Sequence, residues 1–116
     1  MVSSICQRLL DKQWKFYKLE NVPCMQGIYV IGEIVPQQDP LVLYVGRSKD
    51  IHRRMAEHKR RNLAIDEYVK AQFRLNDGEN LRIKWVRERN SNHKEKEYRK
   101  CIADKLGYWP EYNIRH

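Results

Sequence analysis

The sequence predicts an α/β fold: a small sandwich in which a three-stranded, mainly antiparallel sheet is flanked by helices. Three observations lead there. Two runs rich in β-branched and aromatic residues, Gly27–Val35 and Leu41–Val45, are joined by the short Pro36-Gln37-Gln38-Asp39-Pro40 segment, which predicts a hairpin. A third run, Leu81-Arg82-Ile83-Lys84-Trp85-Val86, alternates apolar and basic residues and reads as a strand with one solvated face. Stretches of helix formers surround all three.

Each element has a local reason. Ile5, Leu9, Leu10, Trp14 and, less regularly, Phe16 recur at helical spacing, so the chain begins with a short amphipathic helix. Pro23 ends this N-terminal extension, residues 1–21, and the hairpin follows. Ser48 or Asp50 caps the next helix, Ile51 to Arg61, which contains neither Pro nor Gly. Ile51, Met55 and His58 share one of its faces, with Arg54 beside them. Ile65, Tyr68, Val69 and Phe73 mark another helix, and Asn76-Asp77-Gly78 a turn. Ser91 or Asn92 caps a last helix from His93 to about Leu106, closed by Gly107.

Length and composition bound the class. The chain has 116 residues, 41% of them hydrophobic, which suits one domain with a modest core and excludes a disordered tail. No run approaches the ~20 apolar residues of a membrane span. The start, Met1 to Arg8, lacks a basic segment followed by an apolar one, so an intracellular protein is expected, cytoplasmic or nuclear. In such a compartment Cys6, Cys24 and Cys101 are predicted to be free thiols acting as small buried hydrophobes.

The formal net charge of +8 points to a polyanion, because each Lys or Arg near a phosphate releases counterions. Much of that charge is concentrated. Arg47, Lys49, Arg53, Arg54, Lys59, Arg60 and Arg61 stand against only Asp50 and Glu57. Arg82, Lys84, Arg87 and Arg89 form a second stripe.

The hairpin carries a further pattern. Gly27-Ile28-Tyr29 and Tyr44-Val45-Gly46 resemble the paired signature of the GIY-YIG nuclease superfamily. The run Gly46-Arg47-Ser48-Lys49-Asp50-Ile51-His52-Arg53-Arg54 is similar to the family's stretch from its second glycine to its arginine, eight residues on. His58 follows one turn later, and Glu97 with Pro110-Glu111-Tyr112-Asn113 resembles the family's acidic helix and terminal segment. The resemblance covers roughly Val22 to Asn113. It implies a metal-dependent DNA endonuclease, with Mg²⁺ or Mn²⁺ as cofactor and duplex or branched DNA as substrate. A homodimer or a targeting protein is a possible source of specificity.

The implied roles suit the residue types. Tyr29 is the implied proton acceptor for the attacking water, although a phenol with a pKa of ~10 needs a nearby cation. Tyr44 would bond the phosphate or the water. Arg54 presents a planar fork for phosphoryl oxygens. His58 would relay a proton or hold Tyr29. Glu97 is the implied hard metal ligand. It is preferred to Glu95 because Cys101 and Ile102 resemble the apolar pair that follows the family's glutamate.

Arg47, Lys49, Arg53, Lys59 and Arg61 would hold the DNA backbone. Gly27, Gly46 and Asn113 are expected to shape the site, Asn113 as a hydrogen-bonding strut for the tail. Taken singly, each residue has a plainer role in packing or as solvated surface; the joint order and spacing is what independent packing does not predict. The competing readings are an inactive nucleic-acid-binding module on the same fold and a basic scaffold for a protein partner.

Overall fold

The structure is a computed structural model describing residues 5–61 and 63–113; Met1 to Ser4 lie outside it. A four-stranded, wholly antiparallel sheet forms its centre, in the order β1-β4-β2-β3. The strands are β1 (Lys15–Phe16), β2 (Gly27–Glu33), β3 (Leu41–Ser48) and β4 (Leu81–Arg87). The helices are α1 (Gln7–Leu10), α2 (Ile51–Glu57), α3 (Ala64–Asn76) and α4 (Ser91–Leu106). None is long and apolar enough to cross a membrane.

Both faces of the sheet are covered. Ile28, Val30, Val42, Val45 and Val86 pack with Leu9 of α1 and Tyr98 and Ile102 of α4. Tyr29, Ile31, Leu81 and Ile83 pack against Ile51 and Met55 of α2 and Ile65 and Val69 of α3. A register shift between Ile31 and Gly32 inserts an extra residue opposite them in β3. That bulge puts Val42 and Val45, three apart, on one face and leaves Tyr44 on the other.

The predicted hairpin and the two helices after it are present, with shifted ends. Asp50 rather than Ser48 caps α2: its Oδ1 accepts the Arg53 amide at 3.1 Å. The helix stops at Glu57, short of Arg61. Asn90, not Ser91 or Asn92, occupies the N-cap of α4, and Gly107 ends that helix in the left-handed region at φ 81°.

Three expectations are corrected. The N-terminal helix is one turn long, and the chain beyond it extends as β1, pairing Lys15 with Ile83 and Phe16 with Arg82, so the sheet has four strands instead of three. Tertiary contact overrides the helical spacing: the Trp14 ring lies over Gly32, where a Cβ would come within 2.8 Å of it. Second, β4 has no solvated face. It is central in the sheet, and Lys84 is only 5% exposed. Its Nζ donates to the carbonyls of Leu10 at 2.8 Å and Lys12 at 3.2 Å and sits 4.4 Å over the Trp14 ring. Burial pushes its pKa down. Lys84 is therefore a clasp on the end of α1, not part of a nucleic-acid-facing stripe.

Third, two of the cysteines are bonded. Packing of α1 against α4 brings the Cα atoms of Cys6 and Cys101 to 5.9 Å and a disulfide joins them, while Cys24 is free and exposed. A separation of 95 residues leaves no local spacing from which to read the pair. Disulfides are the usual mark of oxidising surroundings, so the cysteines lend no support to a reducing compartment. Closing so long a loop restricts the unfolded chain, and Cys101→Ser is expected to lower the unfolding free energy by about 2–5 kcal/mol in a urea titration. Dithiothreitol should reproduce that loss in the wild type and leave the variant unchanged; a wild type indifferent to reductant contradicts the bond.

Candidate active site

The two signature tyrosines meet over a glycine. Tyr29 of β2 pairs with Gly46 of β3, and a Cβ at Gly46 would lie 2.4 Å from the Tyr29 Cζ and Oη and 2.6 Å from the Tyr44 Cε2. Only a residue without a side chain lets both rings settle there. Gly27 answers a different close approach, since a Cβ would come within 2.1 Å of the Val86 carbonyl oxygen in β4. The ring centroids of Tyr29 and Tyr44 stand 6.1 Å apart, and His58 meets both edge-on at 5.7 and 5.8 Å.

Behind the rings runs a buried polar chain. The Tyr29 hydroxyl lies 2.8 Å from His58 Nε2, and His58 Nδ1 lies 2.5 Å from Asp66 Oδ1. A carboxylate oxygen only accepts, so Nδ1–H donates to Asp66, and Nε2 is left to accept the tyrosine proton. Asp66 sits in the first turn of α3, where its Oδ2 accepts the Leu63 amide at 3.0 Å. Its Oδ1 is also 3.7 Å from Arg54 Nη1. Tyr29, His58 and Asp66 are fully buried.

Burial and the adjacent Arg54 charge lower the His58 pKa to about 4, against the pull of Asp66, so the imidazole is neutral near pH 7. Burial pushes the Tyr29 hydroxyl well above its ordinary value, with Tyr44 adding to the rise and Arg54 opposing it. Tyr44 is also raised by burial, while the charge and hydrogen bond of Arg54 act the other way and Glu95 adds to the rise. Arg54 thus stands beside Tyr44, and its buried Nη1 has no hydrogen-bond partner.

A cleft of about 250 Å³ reaches this cluster at Tyr44 and is lined also by Glu95, Arg99, Tyr112, Asn113 and the start of α3. Asn113 acts as the expected strut. Its side-chain amide donates to and accepts from the Val45 backbone at 2.8 Å each, closing the edge of β3. A larger cleft of about 440 Å³ lies between β1 and the end of α3. Lys59 and Arg82 already cover its rings, at 4.3 Å from the centroid of Phe73 and 4.0 Å from that of Phe16. No member of the Tyr29, Tyr44, Arg54, His58 and Asp66 cluster lines it, whereas Tyr44 lines the smaller cleft, so the chemistry points there.

Tyr29, Tyr44, Arg54, His58, Gly46 and Asn113 are therefore brought together, and Glu97 is not. Glu97 is exposed, whereas Glu95 reaches the cleft and lies 3.6 Å from Arg47 and 3.8 Å from Arg99. The helical period contained the signal: Ser91, Glu95, Tyr98 and Ile102 fall on one stripe of α4, whose centre is about 130° around the axis from Glu97. Among the predicted backbone contacts, Arg47 meets Glu95 and the Asn92 side chain. Lys49 and Arg53 stand exposed at the start of α2, Arg61 pairs with Glu57 at 3.8 Å, and Lys59 turns to the larger cleft.

Asp66 and Arg99 are the residues that sequence reasoning missed. An acid in the first turn of a helix is ordinary, and nothing local marks Asp66 as buried. No family model, curated protein or solved structure matches this chain.

The neutral His58 couples stability to pH. An unfolded histidine titrates near 6.5 and the folded one at about 4, so between these values the unfolded chain binds the extra proton. Stability should thus fall as the pH drops from about 6.5 towards 4. Urea midpoints measured across that window should show this fall, and His58→Gln should flatten it. An equal slope in the variant contradicts the assignment.

Proposed function

We propose that the protein is a nuclease that hydrolyses DNA phosphodiester bonds in the cleft in front of Tyr44 and Arg54, as the resemblance to GIY-YIG nucleases implies. One observation carries the reading: the Arg54 guanidinium, 12% exposed and with its Nη1 3.7 Å from Asp66, stands next to the hydroxyl of Tyr44, which lines the cleft. That arrangement is preorganised for an anionic transition state.

The burial of the tyrosines divides their roles. Tyr29 is closed off from solvent and spends its proton on His58. Tyr44 lines the cleft, so its hydroxyl is the one to meet the attacking water or a phosphoryl oxygen. Arg54 takes the charge that grows on the phosphoryl oxygens. The Tyr29–His58–Asp66 chain holds the Tyr44 ring and the guanidinium in place, and gives Tyr29 an acceptor for its proton.

Glu95 takes the metal-ligand role first assigned to Glu97. Among the described residues no three His, Cys, Asp or Glu side chains form a ready cage. A single carboxylate at the cleft fits one hard cation whose remaining ligands are water and phosphate. Its contacts to Arg47 and Arg99 are longer than hydrogen bonds, so the oxygens keep lone pairs for it. Bound there, Mg²⁺ or Mn²⁺ would act as a Lewis acid and offset the Glu95 charge that raises Tyr44. A second reading, DNA binding without turnover, is favoured by the same arginine contacts, which already neutralise the carboxylate.

Incubation of purified protein with supercoiled, linear, branched and single-stranded DNA, with and without Mg²⁺ or Mn²⁺, tests the proposal. Metal-dependent cleavage is expected. Arg54→Ala should slow it by about 10²–10³, Glu95→Gln should abolish the metal-dependent cleavage, and Glu97→Gln should cleave like the wild type. Absence of cleavage on every substrate, with salt-sensitive binding retained, selects the second reading.

A further inference from the structure

We infer that Arg99 is a phosphate-binding side chain, providing a second backbone contact in the cleft of Tyr44 and Glu95. This rests on the proposal that a phosphodiester strand lies there. Arg99 stands one turn after Glu95 on α4 and lines the cleft. Its side chain is 15% exposed, and its Nε is buried with no hydrogen-bond partner. The Glu95 oxygen at 3.8 Å is too far to accept that proton. A guanidinium does not shed its proton, so the charge and the unmet donor both persist.

The local charge balance points outward. Arg47 from β3 shares the same carboxylate at 3.6 Å, so two guanidinium groups face one anion. Glu95 is the one acid among the described residues lining the cleft, and one positive charge is left over. The Asn113 amide is spent on Val45, and Asp66, behind the cleft, holds His58 and Arg54, so neither takes up that charge.

The missing partner is therefore an anion with oxygens to match a planar fork, and phosphate fits that description. The Tyr44 and Tyr112 rings in the same wall, and Leu63, 56% exposed at its rim, suit a nucleic-acid strand better than free phosphate. The plainer role for Arg99 is a surface ion pair within α4. That role predicts a hydrogen-bonded contact to Glu95, which the structure lacks.

Fluorescence anisotropy of a labelled oligonucleotide, in EDTA and over a range of salt, tests the inference apart from catalysis. Arg99→Gln is expected to weaken binding about tenfold and to reduce the slope of log affinity against log salt by about 1. Arg99→Lys keeps the charge and the pairing with Glu95. It should keep the slope while losing affinity several-fold. If Arg99→Gln does not fold, the Arg99→Lys affinity decides alone. Wild-type affinity in every variant that folds overturns the inference. The nuclease proposal fails separately, through a wild-type protein that binds the oligonucleotide and never cuts it.

Discussion

Asp66 is the point from which the site is suspended. Its two oxygens serve the Leu63 amide, the His58 ring and the Arg54 guanidinium, joining the start of α3 to the end of α2. A carboxylate taken wholly out of water is tolerable only with such partners, and each partner is fixed in return. His58 sits where α2 stops, and the bond to Asp66 turns its ring inward to meet Tyr29. Break this bond and Tyr29 and Arg54 both lose their support.

The sheet supplies the other half of the arrangement. Pairing of Tyr29 with Gly46 brings a phenol over a residue that has no side chain, and the bulge beside Ile31 keeps Tyr44 on the same face. Register therefore decides that two tyrosines fifteen positions apart share one face of the sheet. The tail then seals the edge of β3 through Asn113. Beyond that edge α4 presents Glu95 and Arg99. The disulfide from Cys101 to Cys6 ties the same helix to the N-terminal turn, so the cleft wall is anchored covalently.

Local signals were enough for much of this. The hairpin follows from β-branched runs around a Pro-rich loop, α2 from its Asp50 cap, and the end of α4 from Gly107. The gathering of Tyr29, Tyr44, Arg54 and His58 follows the spacing of the resembled motif. What the sequence concealed depends on partners distant along the chain. Asp66 looks like any first-turn acid until His58 is packed on it. Lys84 looks solvated until the carbonyls of Leu10 and Lys12 arrive, and β1 exists only because β4 offers it an edge. Glu95 differs: its place on the buried stripe of α4 was readable, and a preference for the residues after Glu97 obscured it.

The protonation state of His58 tests the account most directly, because everything behind the cleft assumes a neutral ring that donates to Asp66 and accepts from Tyr29. Nitrogen-15 NMR of the imidazole distinguishes the forms. The account predicts a protonated Nδ1 and a bare Nε2 from neutral pH down to about pH 5, consistent with a pKa lowered to about 4. An imidazolium protonated on both nitrogens at pH 6, or a neutral ring protonated on Nε2, would contradict it.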